Sequence, residues 1–195
     1  MNGWVAYLVV GCLVVVAAVA LAVAAPHRSR ARRRAAARDV PRADPRRIRP
    51  GDVVEIRQVS YSVRGTIRLV EVGWSWIEHL IEDADGVRRR LSIEEDRKLE
   101  LVLWDAEPAA ALTPGAPTIE FAGRRYDWME SGQARYTTSG STGLDPSGTM
   151  RYHDYQAPGG ARLTFEAYGE AGWEVARGEL LHLGEILVHP STARG

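Results

Sequence analysis

Val63-Arg64-Gly65-Thr66-Ile67-Arg68-Leu69 is the stretch that decides the fold. Val63, Ile67 and Leu69 alternate with Arg64, Thr66 and Arg68. Successive side chains of a strand point to opposite faces, so a period of two reads as a half-buried β-strand. The same period recurs downstream. Leu99, Leu101 and Leu103 alternate with Glu100 and Val102, and Leu163 and Phe165 with Thr164 and Glu166. Asp85-Gly86 and Gly159-Gly160 fall between such runs, where hairpin turns are expected. Only Ile93–Lys98 and Glu179–Leu183 carry weak helical patterns.

Outward from this stretch the pattern repeats. Val54-Glu55-Ile56 precedes Tyr61 as Ile119-Glu120-Phe121 precedes Tyr126. Trp76-Ile77-Glu78-His79 matches Tyr152-His153-Asp154-Tyr155, and Leu91-Ser92-Ile93-Glu94 matches Leu163-Thr164-Phe165-Glu166. Leu99-Glu100-Leu101 matches Trp173-Glu174-Val175. The order is kept while the offset drifts, as loops of changing length would cause. The expectation is an all-β fold of two tandem β-meanders. The first spans 50–107 and the second 118–188, joined by an Ala/Pro-rich linker at 108–117 and followed by a disordered tail at 189–195. Together they bury one shared core as a sandwich or barrel.

Residues 4–25, WVAYLVVGCLVVVAAVALAVAA, carry no charge. About 20 apolar residues span a bilayer core as a helix, so this segment reads as a transmembrane helix. A cleaved signal sequence fits less well: Met1-Asn2-Gly3 has no basic residue, and the apolar run exceeds a signal h-region. Residues 26–49 read as a basic, Pro-broken linker, with ten Arg against two Asp. Arg28, Arg30, Arg32, Arg33 and Arg34 follow the helix directly. Basic residues beside a span stay cytoplasmic, which puts the N-terminus outside and the domain inside. They also suit anionic lipid headgroups.

The neck's net +8 is balanced by 15 basic and 23 acidic residues over 50–195, a net of −8. An acidic domain is repelled by phosphate, so no nucleic acid is expected as a partner. The expected partners are the bilayer, its anionic headgroups and another membrane protein. Cys12, the one cysteine, lies in the apolar run, which excludes an intramolecular disulfide and a thiolate zinc site.

The β region contains short motifs that resemble a known family. Gly51-Asp52-x-Val54, Gly73-Trp74-x-Trp76-x-Glu78 and Leu91-Ser92-x-Glu94 resemble the bacterial domain-of-unknown-function 4178 family. Tyr152-x-Asp154-Tyr155, Leu163-Thr164 and Trp173-Glu174 are similar to the same pattern again, over roughly residues 49–188. Where that pattern has Tyr, this chain has His79. The resemblance implies no activity. It implies a setting beside small membrane proteins and polyamine aminopropyltransferases.

Glu78 leads the catalytic candidates, since a carboxylate sharing a strand face with Trp74 and Trp76 is costly unless paired or protonated. Asp154 holds the matching place in the second copy, and two such carboxylates can form an acid/base pair. Trp74, Trp76, His79, Tyr152 and Tyr155 are candidate ligand contacts, as aromatic faces attract cations. His79, His153, His182 and His189 lack the spacing of a helical metal site, so no metal or cofactor is expected. The turn-rich run Ser139–Gly148 reads as a loop before a phosphate cradle, because no Lys and no helix follow it.

The resulting reading is a membrane-anchored cytoplasmic β domain, a non-catalytic binding or assembly module at a membrane complex. One alternative is an enzyme using Glu78 and Asp154, which would have to share a pocket. Another is a polyamine or cation sensor, which needs carboxylates and aromatic faces around one cavity. A module would present an apolar patch instead.

Overall fold

The structure, a computed structural model, describes residues 44–96 and 98–191. The apolar segment 4–25 and the arginines Arg28 to Arg34 lie outside the described residues. Among the described residues no helix is long and apolar enough to cross a membrane.

Eleven strands form one antiparallel sheet among the described residues. They are β1 (Val53–Ile56), β2 (Val59–Glu71), β3 (Trp74–Glu82), β4 (Arg88–Glu95), β5 (Leu99–Ala106), β6 (Thr118–Phe121), β7 (Arg124–Gly140), β8 (Ser147–Ala157), β9 (Ala161–Tyr168), β10 (Glu174–Leu181) and β11 (Ile186–His189). Their order is β11-β1-β2-β3-β4-β5-β10-β9-β8-β7-β6, with β7 returning to β2. Strands β2-β3-β4-β5-β10-β9-β8-β7 therefore close an eight-stranded barrel, and β1, β11 and β6 extend from it. Of the two architectures expected, the barrel is the one formed. Closure removes the ring's open edges.

The closing seam runs from Gly65↔Gly140 to Val70↔Arg135. Glycine is required there. A Cβ on Gly65 would stand 2.7 Å from the Ser141 carbonyl, and one on Gly140 2.7 Å from the Arg64 carbonyl.

β1–β2 and β6–β7 are hairpins of the same build. Val54 pairs with Tyr61, and Ile119 with Tyr126. Both turns have two residues at positive φ, Arg57-Gln58 (49°, 71°) and Ala122-Gly123 (47°, 72°). That backbone twist matches the right-handed twist of the strands. In each long strand the register then breaks, between Val63 and Gly65 in β2 and between Trp128 and Glu130 in β7. Such bulges bend a strand and let it pass from one partner to the next. β2 pairs first with β1 and then with β7 on the same edge, while β7 serves β6 and β2 in the same way.

The apolar core is divided, contrary to the single shared core expected. Val54, Ile56, Leu91, Ile93, Leu101 and Leu103 belong to one cluster, closed by Ile186 and Val188 of β11. A second gathers Tyr126, Tyr155, Leu163 and Phe165. A third, with Ile67, Leu69, Tyr136 and Met150, lies along the β2–β7 seam. Leu101, Val102 and Leu103 are all buried, because both faces of β5 are covered. The period of two marks only the apolar face. On β4 and β5 the alternate residues meet inside the ring, and many of them are charged, whereas the β2 bulge turns Ile67 and Leu69 to the Glu78 side.

Several local expectations change. Ile93–Lys98 and Glu179–Leu183 read weakly as helix. Residues 93–95 end β4 and 179–181 end β10, because pairing with β5 overrides weak local propensity. The folded part starts before residue 50: Ile48 is buried in the first cluster, and Arg46 pairs with Glu95. At the other end, His189 pairs with Val53, and the Ser191 N–H donates to Asp52 at 2.8 Å. Ordered chain thus enters the stretch expected to be a disordered tail. Ala110 and Leu112, in the expected linker, pack on the second cluster.

Candidate functional site

Alternation on the paired strands builds the inside of the ring. Opposite the Leu91/Ile93 face, β4 turns Ser92 and Glu94 inward, β3 brings Trp76 and Glu78, and β5 brings Glu100, Val102 and Trp104. β8 adds Tyr152 and Asp154, and β9 adds Arg162, Thr164 and Glu166. Trp74, Met129, Glu130, Met150 and Tyr155 complete the lining of a cavity of about 190 Å³. Six carboxylates (Glu78, Glu94, Glu100, Glu130, Asp154, Glu166) line it, with Arg162 as the lining cation.

Arg90 stands behind two of these carboxylates. Its guanidinium donates to Glu78 at 3.1 Å and also to Glu166, and both carboxylates are almost fully buried. The Tyr168 hydroxyl bridges the same two carboxylates at 3.4 and 3.2 Å. Trp104, cross-strand partner of Arg90, donates from its indole N–H to Ser92. Gly178 lies opposite Trp104, and a Cβ there would stand 2.6 Å from the ring. Beyond Arg90 lies a second, larger groove of about 680 Å³, walled by Trp104 and Trp173. Its Arg88 and Arg89 are paired with Glu82 and Asp105.

Electrostatics in the lumen follow from burial. Glu78 is pushed up to about 7, first by burial and then by the Glu166 charge, with Arg90 opposing. Asp154 also rises to about 7 through burial, although the Thr164 hydroxyl supports its ionised form. Glu94 reaches about 7 by burial and the nearby Glu100 charge. Glu130 is raised by burial and Glu71. Removing carboxylates from water disfavours their charged form, and like charges add to the effect.

Among the candidates, Glu78 and Asp154 are brought to one cavity, as both the enzyme and the sensor readings require. Trp74, Trp76 and Tyr152 line it too; Trp76 packs edge-on to Tyr152 with ring centroids 5.6 Å apart. The Tyr152 hydroxyl donates to Glu71 at 2.6 Å, which fixes that ring. Tyr155 borders the cavity, but its ring packs on Phe165 and its hydroxyl accepts from the Gly115 N–H. His79 is placed elsewhere: it is buried on the opposite face, bonded through Nδ1 to Thr66 at 2.9 Å and pushed down to about 4 by burial. Among the described residues no three His, Cys, Asp or Glu side chains converge as metal ligands do.

Glu94, Glu100, Glu130, Glu166, Arg90 and Arg162 are lumen residues that sequence reasoning missed. Four of them alternate with apolar positions and so read as a solvated strand face. One signal was present: Glu94 and Glu166 occupy matching places in the repeated pattern.

Comparison with known proteins agrees with the resemblance. A family model described as Domain of unknown function (DUF4178) matches residues 49–182. Uncharacterized proteins of Mycobacterium bovis and Mycobacterium tuberculosis are each 35% identical over 158 residues, covering 78% of this chain and 76% of theirs. No solved structure matches. The chain belongs to the DUF4178 family.

Proposed function

We propose that the domain is a non-catalytic binding module that takes a small organic cation, polyamines included, into the acidic lumen of its barrel. The observation that carries this reading is the lining itself: six carboxylates and the rings of Trp74, Trp76 and Tyr152 around one cavity. Aromatic faces and carboxylates together favour ammonium groups, most strongly where water is excluded. The carboxylates do not converge three at a time, which suits an extended or bulky cation better than a metal ion. Calorimetric titration of the full chain with tetramethylammonium or 1,4-diaminobutane should show saturable binding. Trp76→Ala and Asp154→Asn should abolish it, and the distant Arg57→Gln should not change it. Absence of saturable binding, or binding indifferent to the lumen variants, would reject the reading.

The enzyme alternative draws support from Glu78 and Asp154 lining the same cavity. It is weakened by the Arg90 and Tyr168 bonds that occupy Glu78.

We further propose that the module is tethered to the cytoplasmic face of a membrane beside a membrane-protein partner. Support comes from the uncharged run 4–25 and from Arg28, Arg30, Arg32, Arg33 and Arg34 after it. A reporter fused after Gly195 and active only outside the cytoplasm would refute this. The two five-strand meanders are taken as copies of one unit, on the shared hairpin build, bulge position and strand succession.

A further inference from the structure

We infer that the lumen takes up its cation in exchange for protons, so that occupancy rises with pH through neutrality. The inference rests on the cation reading of the same cavity and adds how that site is regulated. Six carboxylates line the cavity, while two guanidiniums reach them. Arg90 serves Glu78 and Glu166, and Arg162 serves Glu100 at 3.2 Å. Asp154, Glu94 and Glu130 have no Arg, Lys or His within ion-pair distance among the described residues. Asp154 faces Thr164 across the β8–β9 ladder, and that hydroxyl favours its ionised form.

Four uncompensated charges crowd into this small space, among the buried Glu78 and Glu166 and the half-buried Asp154, Glu94 and Glu130. The cost of an unpaired buried charge runs to several kcal/mol, and the group takes a proton instead. The charged and titratable groups around Asp154 offer no other relief. β2 contributes Glu71, β3 Glu78, β4 Arg90 and Glu94, β5 Glu100, β7 Glu130 and β8 Tyr152; β9 contributes Arg162, Glu166 and Tyr168. Every one of these apart from the two paired arginines and the two tyrosines is a further carboxylate.

The empty lumen therefore carries protons near neutrality, in keeping with Glu78, Glu94 and Asp154 all sitting at about 7 with burial as the leading cause. A cation among these groups stabilises their ionised forms. Each carboxylate that it re-ionises gives its proton to solvent, and the charge gained inside is balanced by the charge brought in. Because binding and proton release are linked, affinity must depend on pH.

Tetramethylammonium is the probe of choice, since its own charge does not titrate. The full chain is titrated calorimetrically at about pH 6, 7 and 8, in two buffers of different ionisation heat, with sodium chloride as the ionic-strength control. The dissociation constant should tighten about tenfold from pH 6 to pH 8 for each proton exchanged. Buffer-dependent heats should report proton release at about pH 6 that fades toward about pH 8. A constant affinity without buffer dependence would overturn the exchange and leave the cation site standing. Absence of binding at every pH would overturn the cation site and the exchange with it. A carboxyl-carbon NMR titration of the unmutated chain supplies the second readout. Side-chain carboxyls that titrate near neutrality should move to lower pH when the probe is bound; unmoved titrations with the probe bound would overturn the exchange.

Discussion

Arg46 and Arg90 each bridge two carboxylates, and they differ in burial. Arg46 lies at the surface between Asp44 and Glu95, with all three side chains at least 40% exposed. Arg90 lies inside the barrel between Glu78 and Glu166, whose side chains are 4% and 5% exposed. Protonation responds in opposite directions. At the surface, Asp44 is held below its ordinary range chiefly by the Arg46 backbone N–H, and Glu95 chiefly by the Arg46 guanidinium. Inside, burial outweighs Arg90 and raises Glu78. Both places set one guanidinium between two carboxylates. Water decides whether the pair mainly holds charge or mainly relieves a desolvation cost that the fold has imposed.

The largest expected effect comes from breaking the buried member. Arg90→Met leaves two carboxylates without a cation and should cost about 3–5 kcal/mol in urea unfolding at neutral pH. Adding Glu78→Gln and Glu166→Gln to that variant should recover most of the loss. If the single variant is as stable as the parent, the lumen is wetter than the geometry implies.

A smaller loss is expected at the wall of the same site. Gly178→Ala pushes a methyl into the Trp104 ring, and overpacking of this kind costs about 1–3 kcal/mol. The displaced ring should also be seen as a changed tryptophan emission spectrum.

Next comes pH. Glu78, Glu94 and Asp154 have folded pKa values near 7, above the ordinary 4.5, 4.5 and 3.8, so the folded chain binds more protons than the unfolded chain between those limits. Stability then falls as pH rises through that window. His79 works the other way: at about 4 folded against 6.5, it costs stability as pH drops from 6.5 toward 4. His153, also lowered by burial, acts in the same direction, and three carboxylates outweigh two imidazoles. The melting temperature should therefore be higher at about pH 5.5 than at about pH 8, and a rise with pH would reject the lumen assignment.

The smallest effect belongs to the surface pair. Arg46→Gln should leave the unfolding midpoint within measurement error, because exposed ion pairs are screened and exchange readily for water. A loss comparable to that of Arg90→Met would erase the contrast between the two networks.

How much of this was legible beforehand depends on the element. The Val63–Leu69 alternation correctly gave a strand, but the bulge after Val63 sets Val63 on the Ile81 face and Ile67 and Leu69 on the Glu78 face; the Tyr61/Tyr126 spacing marked two hairpins whose registers correspond. Glu78 and Asp154 were legible as carboxylates on otherwise apolar or aromatic faces. Glu94, Glu100 and Glu130 were not, because a polar residue at every second position looks the same whether its face meets water or an enclosed lumen. His79 was misjudged for a related reason: one step from Glu78 along the strand is the opposite face.

The amino-acid sequence by itself determined the all-β class, the matched hairpins and the matching places of Glu78 and Asp154 in the repeated pattern. Those are local properties, set by side-chain period and turn chemistry. Only the tertiary structure decided that the meanders close through Gly65 and Gly140, that the apolar core splits into three, and that the charged faces turn inward. Closure depends on contacts between strands some 75 residues apart, such as β2 with β7 and β5 with β10. That long-range pairing converts a row of apparently solvated acids into a buried site whose charge must be balanced by protons or by a ligand.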